Sequence, residues 1–202
     1  MGDDQTLAYY EREAPLYVQV MAQASLRSLS EGFLDQFLPR LPPGAEVLEL
    51  GCGGGNDTLS MLERGFVVDA TDGAAAMVAE AQALTGHSAR LLRFEQLEAE
   101  AAYDAVWAHA SLHHQPSDGL SGVLARIGRA LRPGGWFFAN YKLGTGDARD
   151  NLGRLYNFPP REDLLDLYRS GGWELADLKD YRAGGMDKVE RDWIAITARK
   201  PA

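Results

Sequence analysis

Residues 47 to 72 hold the feature that most restricts how this chain can fold. An apolar run carrying one acid, Val47-Leu48-Glu49-Leu50, enters the turn Gly51-Cys52-Gly53-Gly54-Gly55-Asn56. A helix fits from about Asp57 to Arg64, Gly65 stops it, and Phe66-Val67-Val68 starts a second strand. Strand, glycine turn, helix and strand in that order make one unit of a parallel sheet. Ligands of such sheets bind beyond the carboxyl ends of the strands, at a helix N-terminus. Glycine lets the backbone turn sharply and approach a ligand with no Cβ in the way. Asp72 follows Gly51 by 21 residues, at the end of the second strand, where a carboxylate can accept both hydroxyl protons of a ribose. Turn and acid together predict a nucleoside ligand; without Asp72 the glycines would support only a tight turn.

The alternation continues along the chain. The spacing predicts a helix over 74–84, strands over 89–94 and 103–108, and an apolar helical face at Val123, Leu124, Ile127 and Leu131. Pro133-Gly134-Gly135 is read as the stop, Trp136–Tyr141 as a fifth strand, then a long loop and a helix around Leu164 to Tyr168. Two final strands, 173–181 and 193–197, flank Gly184-Gly185 with no helix between them, which predicts an antiparallel edge hairpin. Residues 5 to 38 read as helical until Pro39 and Leu41-Pro42-Pro43-Gly44. The expected class is α/β, a mainly parallel sheet with helices on both faces. The expected layout is one domain over 1–202, a helical cap over 1–40 on a core over 41–202.

Composition narrows the function. Twenty Lys and Arg against 29 Asp and Glu leave a net charge of −9 on 202 residues, which argues against nucleic acid and anionic membranes as partners. Cys52 is alone, so neither an intrachain disulfide nor a cysteine-built zinc site is available. No apolar run approaches the roughly 20 residues that cross a bilayer, and Met1–Tyr10 lacks a signal-peptide layout. These features predict a cytoplasmic, single-domain protein; a small-molecule substrate and a monomer or weak dimer are the accompanying expectations, which composition itself does not fix.

The third glycine of a dinucleotide turn is replaced by Asn56, and Glu49 would repel a pyrophosphate but suits an ammonium group. Here the chain resembles the class I S-adenosylmethionine-dependent methyltransferases. Val47 to Gly55 reads like the first motif of that family, and Asp72-Gly73 stands where the ribose acid does. Tyr103 to Ala108 with Ala110-Ser111-Leu112-His113-His114 resembles the fourth strand and its loop, and Arg129 to Gly135 the turn before the fifth strand. Within the family the chain looks most like the small bacterial tellurite-resistance-like methyltransferases, through Tyr9-Tyr10, Tyr17 and Tyr141-Lys142-Leu143-Gly144. It departs from them at His113, where leucine is expected, and at Gln115, where an apolar residue is.

The resemblance implies a Rossmann-like fold, S-adenosylmethionine as cofactor and methyl transfer by in-line displacement. It implies that Gly51, Cys52, Gly53 and Asn56 surround the methionine part, that Glu49 holds its ammonium and that Asp72 binds the ribose. Gly73 and Met77 would line the adenine pocket, Glu95 and Gln96 would meet the adenine edge, and Ala108 would touch the cofactor through its backbone. Core packing explains Met77 equally well. Tyr10 and Tyr17 would face the sulfonium, gaining a cation–π attraction of about 1–2 kcal/mol, or else pack the cap onto the sheet. His114 would orient a substrate oxygen or accept its proton, unless it is purely structural. His109, His113 and His114 lack a nearby carboxylate in sequence, so no metal site is expected. Between Tyr141 and Arg161, four basic residues outnumber two acidic ones. Lys142, Arg149 and Arg154 are therefore candidates to bind an anionic acceptor, against the alternative of a loop held by its own ion pairs. The rival functions are a non-catalytic S-adenosylmethionine-binding protein and, further off, a nicotinamide-dependent oxidoreductase.

Overall fold

The computed structural model describes residues 3–21 and 24–202. Seven strands form one sheet: β1 (Glu46–Leu50), β2 (Val67–Asp72), β3 (Ala89–Leu91), β4 (Tyr103–Ala108), β5 (Leu131–Lys142), β8 (Glu174–Ala183) and β9 (Arg191–Arg199). Their order is β3-β2-β1-β4-β5-β9-β8. The first five are parallel, and β9 and β8 add an antiparallel hairpin at one edge. The remaining two strands, β6 (Gly146–Arg149) and β7 (Leu155–Phe158), make a separate hairpin. Helices α1 (Asp4–Met21), α2 (Ala24–Phe37), α3 (Asn56–Glu63), α4 (Ala75–Thr85), α5 (Ser117–Ala130) and α6 (Arg161–Ser170) cover the sheet.

The central strands read as apolar runs because both of their faces are covered. Leu48, Val106, Phe137 and Tyr141 face α5 and α6, where Leu124, Ile127, Leu165 and Tyr168 meet them. Val47, Ala105, Trp107 and Phe138 point the other way, onto Phe33, Leu34 and Phe37 of α2 and Met61 of α3. Trp107 and Phe138 are paired across β4 and β5 and stack at 4.1 Å between ring centres.

Several boundaries differ from the sequence reading. The helical stretch expected over 5–38 is two helices followed by a short 3₁₀ turn, Leu38–Arg40; residues 22 and 23 lie outside the described residues. The strand expected to reach Phe94 ends at Leu91, because Gln96 folds back to accept the Arg93 N–H and starts a 3₁₀ turn at Phe94–Gln96. Pro133-Gly134-Gly135 does not stop a helix. Helix α5 ends at Ala130 and the strand begins at Leu131, with a register shift opposite Tyr103–Ala105 absorbing the irregular residues. The long loop expected after β5 contains the hairpin β6–β7.

Helix α1 is fixed over the carboxyl edge of the sheet by charge at helix ends. Asp3 accepts the Thr6 N–H at 2.8 Å and caps α1 itself. The Glu11 carboxylate accepts the N–H groups of Ala75 and Ala76, two of the first N–H groups of α4 that no helical carbonyl can reach. Ala14 of α1 then packs with Ala74 and Met77.

Replacing Phe138 by alanine removes the stacking partner of Trp107 and leaves a void between the sheet and α2. It should cost about 3–5 kcal/mol, seen as a lower midpoint in urea unfolding with an unchanged slope.

Candidate active site

The strand order reverses between β1 and β4, and a cleft opens at their carboxyl ends. Its floor is the glycine turn. Gly51 and Cys52 both donate their N–H to the carbonyl of Thr71 at 2.9 Å, folding the end of β1 against the end of β2. Gly51 has φ +81°, and a Cβ there would lie 2.4 Å from Cβ of Ser111. Ser111 in turn donates its hydroxyl to the Leu50 carbonyl at 2.6 Å, so the loop after β4 closes directly on the turn. Asp72 accepts the N–H of Gly53 at 3.0 Å and of Ala74 at 2.9 Å. Its carboxylate is thereby aimed into the cleft from between the glycine turn and the start of α4.

The cleft has two open lobes of about 700 and 720 Å³ that meet at Tyr17, Gly51, Gly53 and Ala110. One lobe is lined by Asp72, Gly73, Met77, Phe94 and Glu95, and runs on to Tyr10, His114 and Gln115. The other is lined by Glu49, Cys52, Asn56, Asp57 and His109.

Negative charge is concentrated here. Burial pushes Glu49 well above the carboxylate range, and the nearby negative charge of Asp57 adds to this; the hydroxyl of Thr58 donates to it and only partly offsets the shift. Burial likewise raises Asp72 from 3.8 to about 6, against the pull of its backbone N–H donors. Asp57 goes the other way. Burial would raise it, but the His109 ring and donors on His109, Ser30 and Trp107 outweigh that and hold it low. Two protonatable carboxyls beside an ionised one form a surface that suits a cation.

At the other end, a chain of hydrogen bonds fixes the aromatic wall. His114 Nδ1 lies 2.6 Å from the Leu155 carbonyl, which can only accept, so Nδ1 carries the proton and Nε2 is the acceptor. Tyr10 therefore donates its hydroxyl to His114 Nε2 at 2.8 Å, and Arg154 donates to the same phenol oxygen at 3.0 Å. Burial, with Arg154 and Lys142 nearby, drives the His114 pKa down to about 3 despite the Leu155 bond, so the ring is neutral. The Tyr10 and Tyr17 rings meet edge-on at 5.3 Å.

Most of the expected ligand residues converge on the cleft: Tyr10, Tyr17, Glu49, Gly51, Cys52, Gly53, Asn56, Asp72, Gly73, Met77, Glu95 and His114 all line it. Gln96 does not, because it caps its own turn. Ala108 is buried inside the sheet; Ala110, at φ +51° with its N–H held by Asn140 Oδ1, takes the place on the wall. The three basic candidates also stand off the wall. Arg149 pairs with Asp3, and Arg154 is buried against Asp150 with side chains 1% and 0% exposed. Lys142 is buried 3.7 Å over the Tyr156 ring. The three loop histidines have different partners, with His113 against Tyr156 and Trp193. Among the described residues, no group of His, Cys, Asp and Glu could hold a metal ion. Sequence reasoning missed Asp57, Leu7 and Arg93 as lining residues. It also missed the hairpin β6–β7, although Asp150-Asn151 with Gly153 and the run Leu155–Phe158 carried a turn-and-strand signal.

S-adenosylmethionine fits these walls. The close approach at Gly51 leaves a cradle only glycine can line, and at Gly73 a Cβ would press on the Leu7 methyl at 2.8 Å. Asp72 offers oxygens for a ribose, the carboxyls around Glu49 suit an ammonium, and two tyrosine faces suit a sulfonium. The sheet order and the cleft at its carboxyl ends are those of the class I S-adenosylmethionine-dependent methyltransferase fold. A family model described as a methyltransferase domain matches residues 47–135. The ubiquinone biosynthesis O-methyltransferase of Burkholderia thailandensis is 33% identical over 103 residues, 48% of this chain and 44% of that protein. The trans-aconitate 2-methyltransferase of Deinococcus radiodurans is 37% identical over 98 residues, 46% of this chain and 36% of that one. The matches thus span less than half the length of these two curated relatives. Among solved structures, the 1,6-didemethyltoxoflavin-N1-methyltransferase of Burkholderia thailandensis, with bound 1,6-didemethyltoxoflavin and S-adenosylhomocysteine, superposes with a TM-score of 0.75 at 25% identity, covering 97% of this chain and 87% of that one. No helix among the described residues is long and apolar enough to cross a membrane.

Two outcomes follow from the geometry. Gly51→Ala should lower the melting temperature and weaken S-adenosylhomocysteine binding at least about tenfold, since its Cβ must displace Ser111. Asp72 and Glu49 bind a proton more readily in the folded than in the unfolded chain. The ligand-free protein should therefore lose stability as pH rises from about 4 through 6 and beyond. Melting temperatures measured across that range should show the fall, and Glu49→Gln should flatten its upper part.

Proposed function

We propose that this protein transfers a methyl group from S-adenosylmethionine to a small-molecule acceptor by in-line displacement. The observation that carries the reading is the placement of Asp72: its carboxylate is held by Gly53 and Ala74 on the wall of the first lobe, beside the glycine turn through which that lobe meets the acid-lined one. Asp72 would hold the ribose and Glu49 the ammonium, with Gly51, Cys52, Gly53 and Asn56 around the amino-acid part. Gly73, Met77 and Glu95 would receive the adenine. The bound cofactor supplies a methyl carbon on positively charged sulfur, already activated toward attack. What remains for the chain is to align the acceptor and exclude water, a contribution worth up to roughly 7–11 kcal/mol for well-oriented reactants.

His114 is a positioning residue in this reading. Its Nε2 is occupied by the Tyr10 hydroxyl and its pKa lies far below neutrality, so it directs the phenol rather than storing a proton. Arg154 fixes the same oxygen from the other side. Tyr17 lies where the two lobes join, with Tyr10 edge-on beside it in the first lobe, in line with a cation–π contact to the sulfonium.

Calorimetric titration tests the proposal. S-adenosylmethionine and S-adenosylhomocysteine should bind saturably and NADH should not, and Asp72→Ala should weaken both at least about tenfold. Formation of S-adenosylhomocysteine should then depend on an added acceptor; trans-aconitate and 1,6-didemethyltoxoflavin are a first pair to compare. Binding without turnover on any acceptor would favour a non-catalytic protein, and binding of NADH alone would remove the reading.

A further inference from the structure

The walls at the acceptor end differ in how far their polar atoms are already used. The Thr6 hydroxyl donates to Asp3 and accepts the Leu155 N–H at 2.8 Å. Ser111 is committed to the Leu50 carbonyl, and Tyr10 and His114 to each other, to Arg154 and to Leu155. Gln115 is the exception. It lines the cleft, is 2% exposed, and its buried Oε1 has no hydrogen-bond partner. Native structures rarely leave a buried acceptor unpaired, and one at a ligand cleft is an acceptor awaiting a donor. The other buried unpaired side-chain atoms among the described residues, on Arg40, His113 and Asn157, belong to residues that do not line this cleft.

Charge points the same way. Each cation near the cleft mouth has a carboxylate: Arg93 pairs with Asp4, Arg149 with Asp3 and Arg154 with Asp150. Lys142 stands behind Tyr156, off the wall. An anion entering past Asp72 and Glu95 would lose its hydration and gain no unpaired positive partner.

We propose that the methyl acceptor is an uncharged molecule that donates an N–H or O–H hydrogen bond to Gln115 Oε1, and that Gln115 is a specificity-determining residue selecting such acceptors over anions. The inference rests on the methyl-transfer reading and narrows its acceptor. It replaces the anionic acceptor expected from the basic stretch after β5, whose charges are spent on internal pairs.

Phenol and benzoate, similar in shape but one neutral and the other anionic near pH 7, are the probes. They are titrated into the full-length protein saturated with S-adenosylhomocysteine while the Gln115 side-chain amide resonance is followed by NMR, assigned by its loss in Gln115→Met. Phenol should bind saturably and shift that resonance, and benzoate should bind at least about tenfold more weakly. In Gln115→Met, phenol affinity should fall at least about fivefold with S-adenosylhomocysteine affinity unchanged. Benzoate binding as tightly as phenol, no phenol binding, or phenol binding with the Gln115 resonance unmoved would overturn the inference, and the first two are decided by the wild-type affinities even if the variant folds poorly. Failure of S-adenosylhomocysteine to bind appears before either probe is added; it is a failure of the methyl-transfer reading itself and takes this inference with it.

Discussion

Three carboxylates, Glu49, Asp57 and Asp72, converge at the carboxyl ends of β1 and β2, and the rest of the site is arranged around their mutual repulsion. Burying like charges together costs free energy unless each finds donors or gives up its charge. The protein uses both solutions. Asp57 is kept ionised by His109, Ser30 and Trp107, whereas Glu49 and Asp72 are biased toward the protonated form. The donors that restrain Asp72 are backbone N–H groups of the glycine turn and of α4, so the acid also sets where the turn and helix lie. A ligand bearing positive charge relieves the repulsion, which links the fold of this corner directly to what it binds.

The opposite end of the cleft depends on contacts between residues far apart in the chain. Helix α1 reaches the hairpin β6–β7 through Asp3–Arg149, Thr6–Leu155 and Tyr10–Arg154. The last of these is anchored by the buried Arg154–Asp150 pair, whose guanidinium also lies within 5.7 Å of the Tyr9, Tyr10 and Tyr156 ring centres. Such a pair contributes little net stability, because desolvation offsets the attraction, but losing one partner would strand the other in an apolar setting. Its effect is positional: it holds Tyr10 and, through it, the unprotonated nitrogen of His114.

These two ends differ in how readily they could be read. The cofactor end is local. Glycine at 51 and 53, the acid at 49 and the acid at 72 act through backbone shape and strand ends, which spacing reports directly. Where the reading slipped there, it slipped by a turn or by a residue or two: Gln96 caps its own turn, and Ala110 rather than Ala108 reaches the wall. The acceptor end is not local. The surplus of basic residues after Tyr141 left two readings open, an acceptor site or a loop held by ion pairs, because net charge in a segment does not say which charges are paired across the fold.

The amino-acid sequence by itself thus determined the parallel β–α alternation, the position of the ligand cleft and the chemistry of its glycine and carboxylate floor, since these follow from short-range conformational preference and strand-end geometry. Only the tertiary structure decided that Arg149 and Arg154 are paired, that His114 accepts rather than donates at Nε2, and that Gln115 Oε1 is, among the described residues, the buried side-chain oxygen left without a partner. Those outcomes depend on which polar atoms meet on packing, Arg149 with Asp3 and Tyr10 with His114 across more than a hundred residues, and such contacts leave no period or motif in the chain.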